Sequence, residues 1–200
     1  MAGAGRPQVG VLALQGDYQA HGKALERAGA ASVEVRSPDQ LQGLDGLVIP
    51  GGESSTMLKL LNEMGLKAPL REFGAHKPIF GTCAGAILLA TEVTNPAQES
   101  LQLMNIGVER NAYGRQLDSR IVRIASEDSR LHGEIEAVFI RAPIIRWVGS
   151  GAHVLAEYDG NPVLVEQGRH LVSTFHPELT DDTRVHSLFV AKLIPGASSS

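Results

Sequence analysis

Three apolar runs, at residues 9–14, 46–49 and 78–80, carry no charged or hydrogen-bonding side chain, and each leads into a segment of helical character. A strand that is apolar at every position must be covered on both faces, and antiparallel sheets rarely require that. Strands that alternate with helices point instead to a parallel sheet sandwiched between helical layers. The helical segments are expected at about 18–28, 56–64 and 69–75, with a further one after residue 83. The first two stop at Gly29 and Gly65, and Ser54 or Ser55 is placed to cap the helix at 56–64. A short strand is expected at 32–35.

The second half reads differently. Short strands are expected at 105–110, 120–125, 137–141, 146–148, 153–158, 162–166 and 171–175, and a last helix at about 182–193. Asp159-Gly160-Asn161 lies between two of these strands and is a hairpin signal. No repeat or linker divides the chain. One domain over residues 1–200 is expected, frayed at about 1–7 and 195–200.

The residue content removes several classes of function. The net charge is −4 with no basic cluster, which argues against nucleic acid as a partner. No apolar run reaches membrane-spanning length and no leader peptide is evident, so a cytoplasmic protein is expected. The single cysteine excludes an internal disulfide. The histidines (His21, His76, His132, His153, His170, His176 and His186) show no zinc-ligand spacing, so no metal site is expected.

That cysteine, Cys83, sits between Gly81 and Gly85 where the third apolar strand turns into a helix. A residue at such an elbow is pushed out of the sheet, and small neighbours let a substrate approach. The first N–H groups of the following helix favour a thiolate. The alternative is an inert core cysteine.

Open parallel sheets bind ligands beyond the carboxyl ends of their strands. Four segments fall there: Gln15-Gly16-Asp17, residues 50–56, the Cys83 elbow, and His176-Pro177-Glu178. Histidine is the usual base for a thiol nucleophile, and a carboxylate usually holds its ring, so Cys83, His176 and Glu178 form a candidate triad. Gly52 and Ala84 offer backbone N–H groups to an oxyanion. Arg110 and Arg141 are the candidate cations for an anionic substrate group, although on spacing alone the surface ion-pair reading is the stronger one.

These stretches carry a resemblance. The chain resembles the glutaminase subunits of pyridoxal 5'-phosphate synthase, a family of class I (triad) glutamine amidotransferases. The matching segments are residues 10–17, 50–57, 80–85, 108–116, 139–143 and 173–180. The elbow and His-Pro-Glu are shared by many triad amidotransferases. The strings G-G-E-S-S-T, E-R-N-x-Y-G-R-Q and I-R-A-P are more specific.

The resemblance implies an α/β, flavodoxin-like three-layer α/β/α sandwich with a mainly parallel sheet and additional antiparallel strands in the second half. It implies catalysis by Cys83, His176 and Glu178, and glutamine contacts from Gly52, Glu53, Ser54, Arg110, Ile140 and Arg141. It also implies that Gln15 lies near the oxyanion hole and that the region from Gln15 to His21 faces a synthase partner in a large hetero-oligomer. L-Glutamine would be hydrolysed through a thioester, and the ammonia passed to the synthase subunit. No cofactor is needed in this chain, and little activity is expected before the partner docks. The segment Arg120-Ile121-Val122-Arg123 departs from the family's usual acidic, aromatic continuation. The alternatives are an amidotransferase serving another synthase, a cysteine peptidase or esterase of similar fold, and a non-catalytic binding module.

Overall fold

The computed structural model describes residues 5–112 and 119–193. The expectations for 113–116 and for residues 195–200 lie outside them.

The continuous apolar runs become the middle of a seven-stranded sheet. Strands β1 (Gln8–Leu12), β2 (Ala31–Val35), β3 (Gly46–Ile49), β4 (Ile79–Thr82) and β12 (His170–Ser173) are parallel. Strands β11 (Asn161–Gln167) and β10 (Ala152–Tyr158) add an antiparallel edge, giving the order β10-β11-β12-β4-β3-β1-β2. The parallel part therefore runs 2-1-3-4 and then β12, the flavodoxin-like order. The expected hairpin is present: Tyr158 pairs with Asn161, and Asp159 and Gly160 both take positive φ.

Burial on both faces explains the lack of polar alternation. Leu12, Leu47, Ile49, Ile79 and Val172 pack with Met57, Leu61 and Leu70 from α2 (Ser54–Glu63) and α3 (Lys67–His76), and with the buried α4 (Ala84–Leu89). Val9, Val11, Val48, Phe80 and Leu171 face the other way. They meet Leu25 of α1 (Tyr18–Arg27) and Val185 and Phe189 of α5 (Arg184–Ala191). Among the described residues there are two further small sheets: β5 (Ala90–Thr94) with β6 (Met104–Glu109) and β9 (Ile144–Val148), and β7 (Arg120–Ser126) with β8 (Gly133–Phe139). Among the described residues, no helix is long and apolar enough to cross a membrane.

Strand β5 lies where the sequence carries no strand signal, and two expected strands end early. Strand β8 stops at Phe139, short of 141, because Arg141 adopts φ 44°. Strand β12 stops at Ser173, short of 175.

The elbow glycines are required by packing. A Cβ on Gly81 would sit 2.5 Å from the Gly85 carbonyl, and a Cβ on Gly85 would overlap the Ile49 carbonyl oxygen of the neighbouring strand. Backbone cannot yield as a side chain can. Gly85→Ala is therefore expected to lower the unfolding free energy by about 3 kcal/mol, read as an earlier urea midpoint.

Candidate active site

The strand-to-helix turn places Cys83 at φ 51°, ψ −106°, a conformation that costs energy for any residue but glycine. The surroundings enforce it. The Cys83 N–H donates to Ser173 O at 2.9 Å, extending the β4–β12 pairing by one step, while the Cys83 carbonyl already accepts from Ile87 N at 3.2 Å. The cysteine thus belongs to strand and helix at once. It is 7% exposed.

The next strand brings the histidine. Past β12 the His176 N–H donates to Val138 O at 2.8 Å, and Pro177–Leu179 make one 3-10 turn. That turn folds Glu178 back, so His176 Nδ1 lies 2.7 Å from Glu178 Oε1. The Glu178 side chain is 1% exposed and the His176 side chain 12%. The His176 pKa is raised to about 10. Burial opposes the charge, but hydrogen bonds to Cys83 and Glu178, and the negative charge of both, outweigh it. The imidazole is therefore favoured as a cation, with Glu178 bonded to Nδ1 and Cys83 close by across Gly51.

This has a measurable consequence. The folded value lies above the ordinary 6.5, so the charged ring contributes fully to stability below about pH 6.5. That contribution is lost as pH rises through about 10. The His176 ring signals in an NMR titration are expected to move only in the alkaline range, and at lower pH in Cys83→Ala. Titration of wild-type His176 near 6.5 would contradict the ion pair.

The loop after β3 forms the facing wall. A Cβ on Gly51 would lie 2.6 Å from His176 Cε1 and 3.3 Å from Cys83 Cβ, so Gly51 is the close approach between base and nucleophile. Gly52 takes φ 140°, and the Gln15 side chain packs on it while Gln15 Oε1 accepts from Glu53 N at 2.8 Å. The ends of β1 and β3 are thereby tied together. Ala84 opens α4, where first-turn N–H groups have no intrahelical acceptor.

Glu53, not Ser54 or Ser55, caps α2. Its carboxylate accepts from Ser55 N (3.1 Å), Thr56 N (2.7 Å) and both hydroxyls, and Arg110 Nη2 reaches it at 3.1 Å. Burial works against the charge, but the Ser55 and Thr56 hydrogen bonds hold its pKa at about 2. Arg110 also donates to Ser55 Oγ at 2.7 Å. Ser54 is buried and its hydroxyl donates to Gln98 Oε1 at 3.0 Å. The buried atoms Gln98 Nε2 and Arg110 Nε have no hydrogen-bond partner among the described residues.

Ile140 and Arg141 follow β8 just beyond Val138, whose carbonyl holds His176. The positive φ of Arg141 marks a strained turn there. His21, expected at the partner face or in activation, is fully buried and bonded to Thr82 and His186, so it offers a partner no direct contact here. Sequence reasoning also missed Gly51 and Gln98. A second glycine beside the one that a turn needs was the available signal for Gly51; Gln98 left none.

Comparison with known proteins fits this geometry. The SNO glutamine amidotransferase family matches residues 11–195. A Solibacter usitatus protein named pyridoxal 5'-phosphate synthase subunit PdxT is 63% identical over 190 residues, covering 93% of this chain and 99% of that one. A Koribacter versatilis protein of the same name is 58% identical over 191 residues, covering 96% and 98%. A solved structure described as a glutamine amidotransferase superposes with a TM-score of 0.85 at 46% identity, covering 92% of this chain and 98% of that chain. By family match, full-length identity and fold alike, this chain belongs to the SNO glutamine amidotransferase family.

Proposed function

We propose that this chain is the glutaminase subunit of a pyridoxal 5'-phosphate synthase. It hydrolyses L-glutamine to glutamate and ammonia and hands the ammonia to a synthase subunit. The observation that carries this reading is the His176 ring, hydrogen-bonded to Glu178 on one side and brought up against Cys83 at the Gly51 close approach. The names of the relatives support the choice of synthase.

The Cys83 sulfur attacks the side-chain amide carbon of glutamine, forming the C–S bond and an oxyanion. The N–H groups of Gly52 and Ala84 are the proposed oxyanion donors, and each such donor is typically worth about 3 kcal/mol of barrier. His176, already charged, gives its proton to the amide nitrogen, and the C–N bond breaks to release ammonia. Water then attacks the thioester. His176 takes its proton, the C–S bond breaks, and glutamate leaves. Glu178 holds the ring and its charge throughout. Glu53, Ser54, Arg110, Ile140 and Arg141 are the proposed glutamine contacts, with Arg110 and Arg141 suited to its α-carboxylate.

The test is co-purification with the synthase subunit and an assay of glutamate release by the pair. Glutamine-dependent formation of pyridoxal 5'-phosphate from pentose and triose phosphates is expected. A pair that makes the product from ammonium salts but never from glutamine would overturn the reading.

A further inference from the structure

Behind the site lies a buried polar chain that the proposed mechanism does not use. Glu178 spends Oε1 on His176, while its other oxygen, Oε2, is buried without a hydrogen-bond partner among the described residues. An orphaned carboxylate oxygen is costly and leaves the group free to rotate. His21 Nε2 stands 3.4 Å from it and 3.1 Å from Thr82 Oγ1. His21 Nδ1 lies 3.0 Å from His186 Nε2, and His186 Nδ1 is buried without a partner. The chain runs from α5 through α1 to the carboxylate, with His21 and His186 both fully buried.

Only one tautomer arrangement suits all three contacts of His21. If His186 Nε2–H donates to His21 Nδ1, then His21 carries its proton on Nε2, facing Thr82 Oγ1 and Glu178 Oε2. The unpaired atom left on His186 is then a bare acceptor. The reverse arrangement turns a ring lone pair toward the carboxylate and buries an orphan N–H on His186, and buried orphan donors are rarer than under-satisfied acceptors. Both rings are neutral. Burial first, then the neighbouring His186 and His176, keep the His21 pKa well below its usual value. Burial, then the Arg27 charge, push His186 down to about 4.

We propose that His21 is a positioning residue, whose Nε2–H, oriented by His186, seats the second oxygen of Glu178 and so fixes the carboxylate that holds His176. This rests on the glutaminase reading above. It assigns the histidine of the first helix to the interior of the site, with no contact to substrate.

The test uses the chain assembled with its synthase subunit. His21→Leu removes the donor; His21→Gln keeps an N–H close to where Nε2 stood. Glutaminase kcat is expected to fall about tenfold or more in His21→Leu, with KM for glutamine within about twofold of wild type. His21→Gln is expected to recover most of kcat. A merely structural loss would not be rescued in this way or leave KM unmoved. Should His21→Leu fail to fold, His186→Leu, which removes only the orienting ring, is expected to lower kcat at unchanged KM. A His21→Leu or His186→Leu complex with wild-type kcat, or a His21→Gln complex as impaired as His21→Leu, overturns the assignment. A wild-type complex that cannot hydrolyse glutamine overturns the functional reading itself, and the assignment with it.

Discussion

Replacing Cys83 by alanine is expected to reduce glutamine hydrolysis in the assembled synthase by at least about four orders of magnitude. The substitution removes one sulfur atom at a buried position and leaves the backbone strain of the elbow in place. Its neighbours at the close approach are Gly51, which has no side chain, and the His176 ring. Synthesis from added ammonium salts should be unaffected, since ammonia then bypasses this subunit. The paired assays separate loss of the nucleophile from loss of assembly, which would depress both.

His176→Ala is the second large effect, a fall of about three to four orders of magnitude in kcat. Two functions go together. The sulfur loses the base beside it, and the leaving nitrogen loses its proton donor. Glutamine affinity is expected to change little, because the proposed α-carboxylate contacts, Arg110 and Arg141, are untouched. Added imidazole should restore part of the lost rate, since the space vacated lies against Gly51, which has no side chain to close it. Retention of more than about a tenth of wild-type kcat would contradict the assignment of this residue.

The parallel core was legible because residues 9–12, 46–49 and 79–81 of β1, β3 and β4 are buried on both faces and therefore apolar throughout. That Cys83, His176 and Glu178 would share one rim was legible for a related reason: each follows an apolar strand, where such sheets expose their working ends. Strand β5 was hidden because α4 is only six residues long and no glycine or proline separates Leu89 from Ala90. Residues 140 and 141 look like strand, and only the fold shows that Arg141 must turn with positive φ. The cap of α2 went to Glu53 because a side chain one carbon longer than aspartate can still loop back onto Ser55 and Thr56. The buried relay could not be read at all. His21 and His186 are 165 residues apart, and neither shows a ligand or catalytic spacing in the chain.

The central claim is that Cys83, His176 and Glu178 act as one site. Its most direct measurement is alkylation of the assembled complex by 6-diazo-5-oxo-L-norleucine, read by peptide mass. The account predicts a single adduct on Cys83, blocked by glutamine, formed far more slowly in His176→Ala and Glu178→Gln. Labelling of Cys83 at an equal rate in all three proteins, or inactivation with the adduct on another residue, would contradict it.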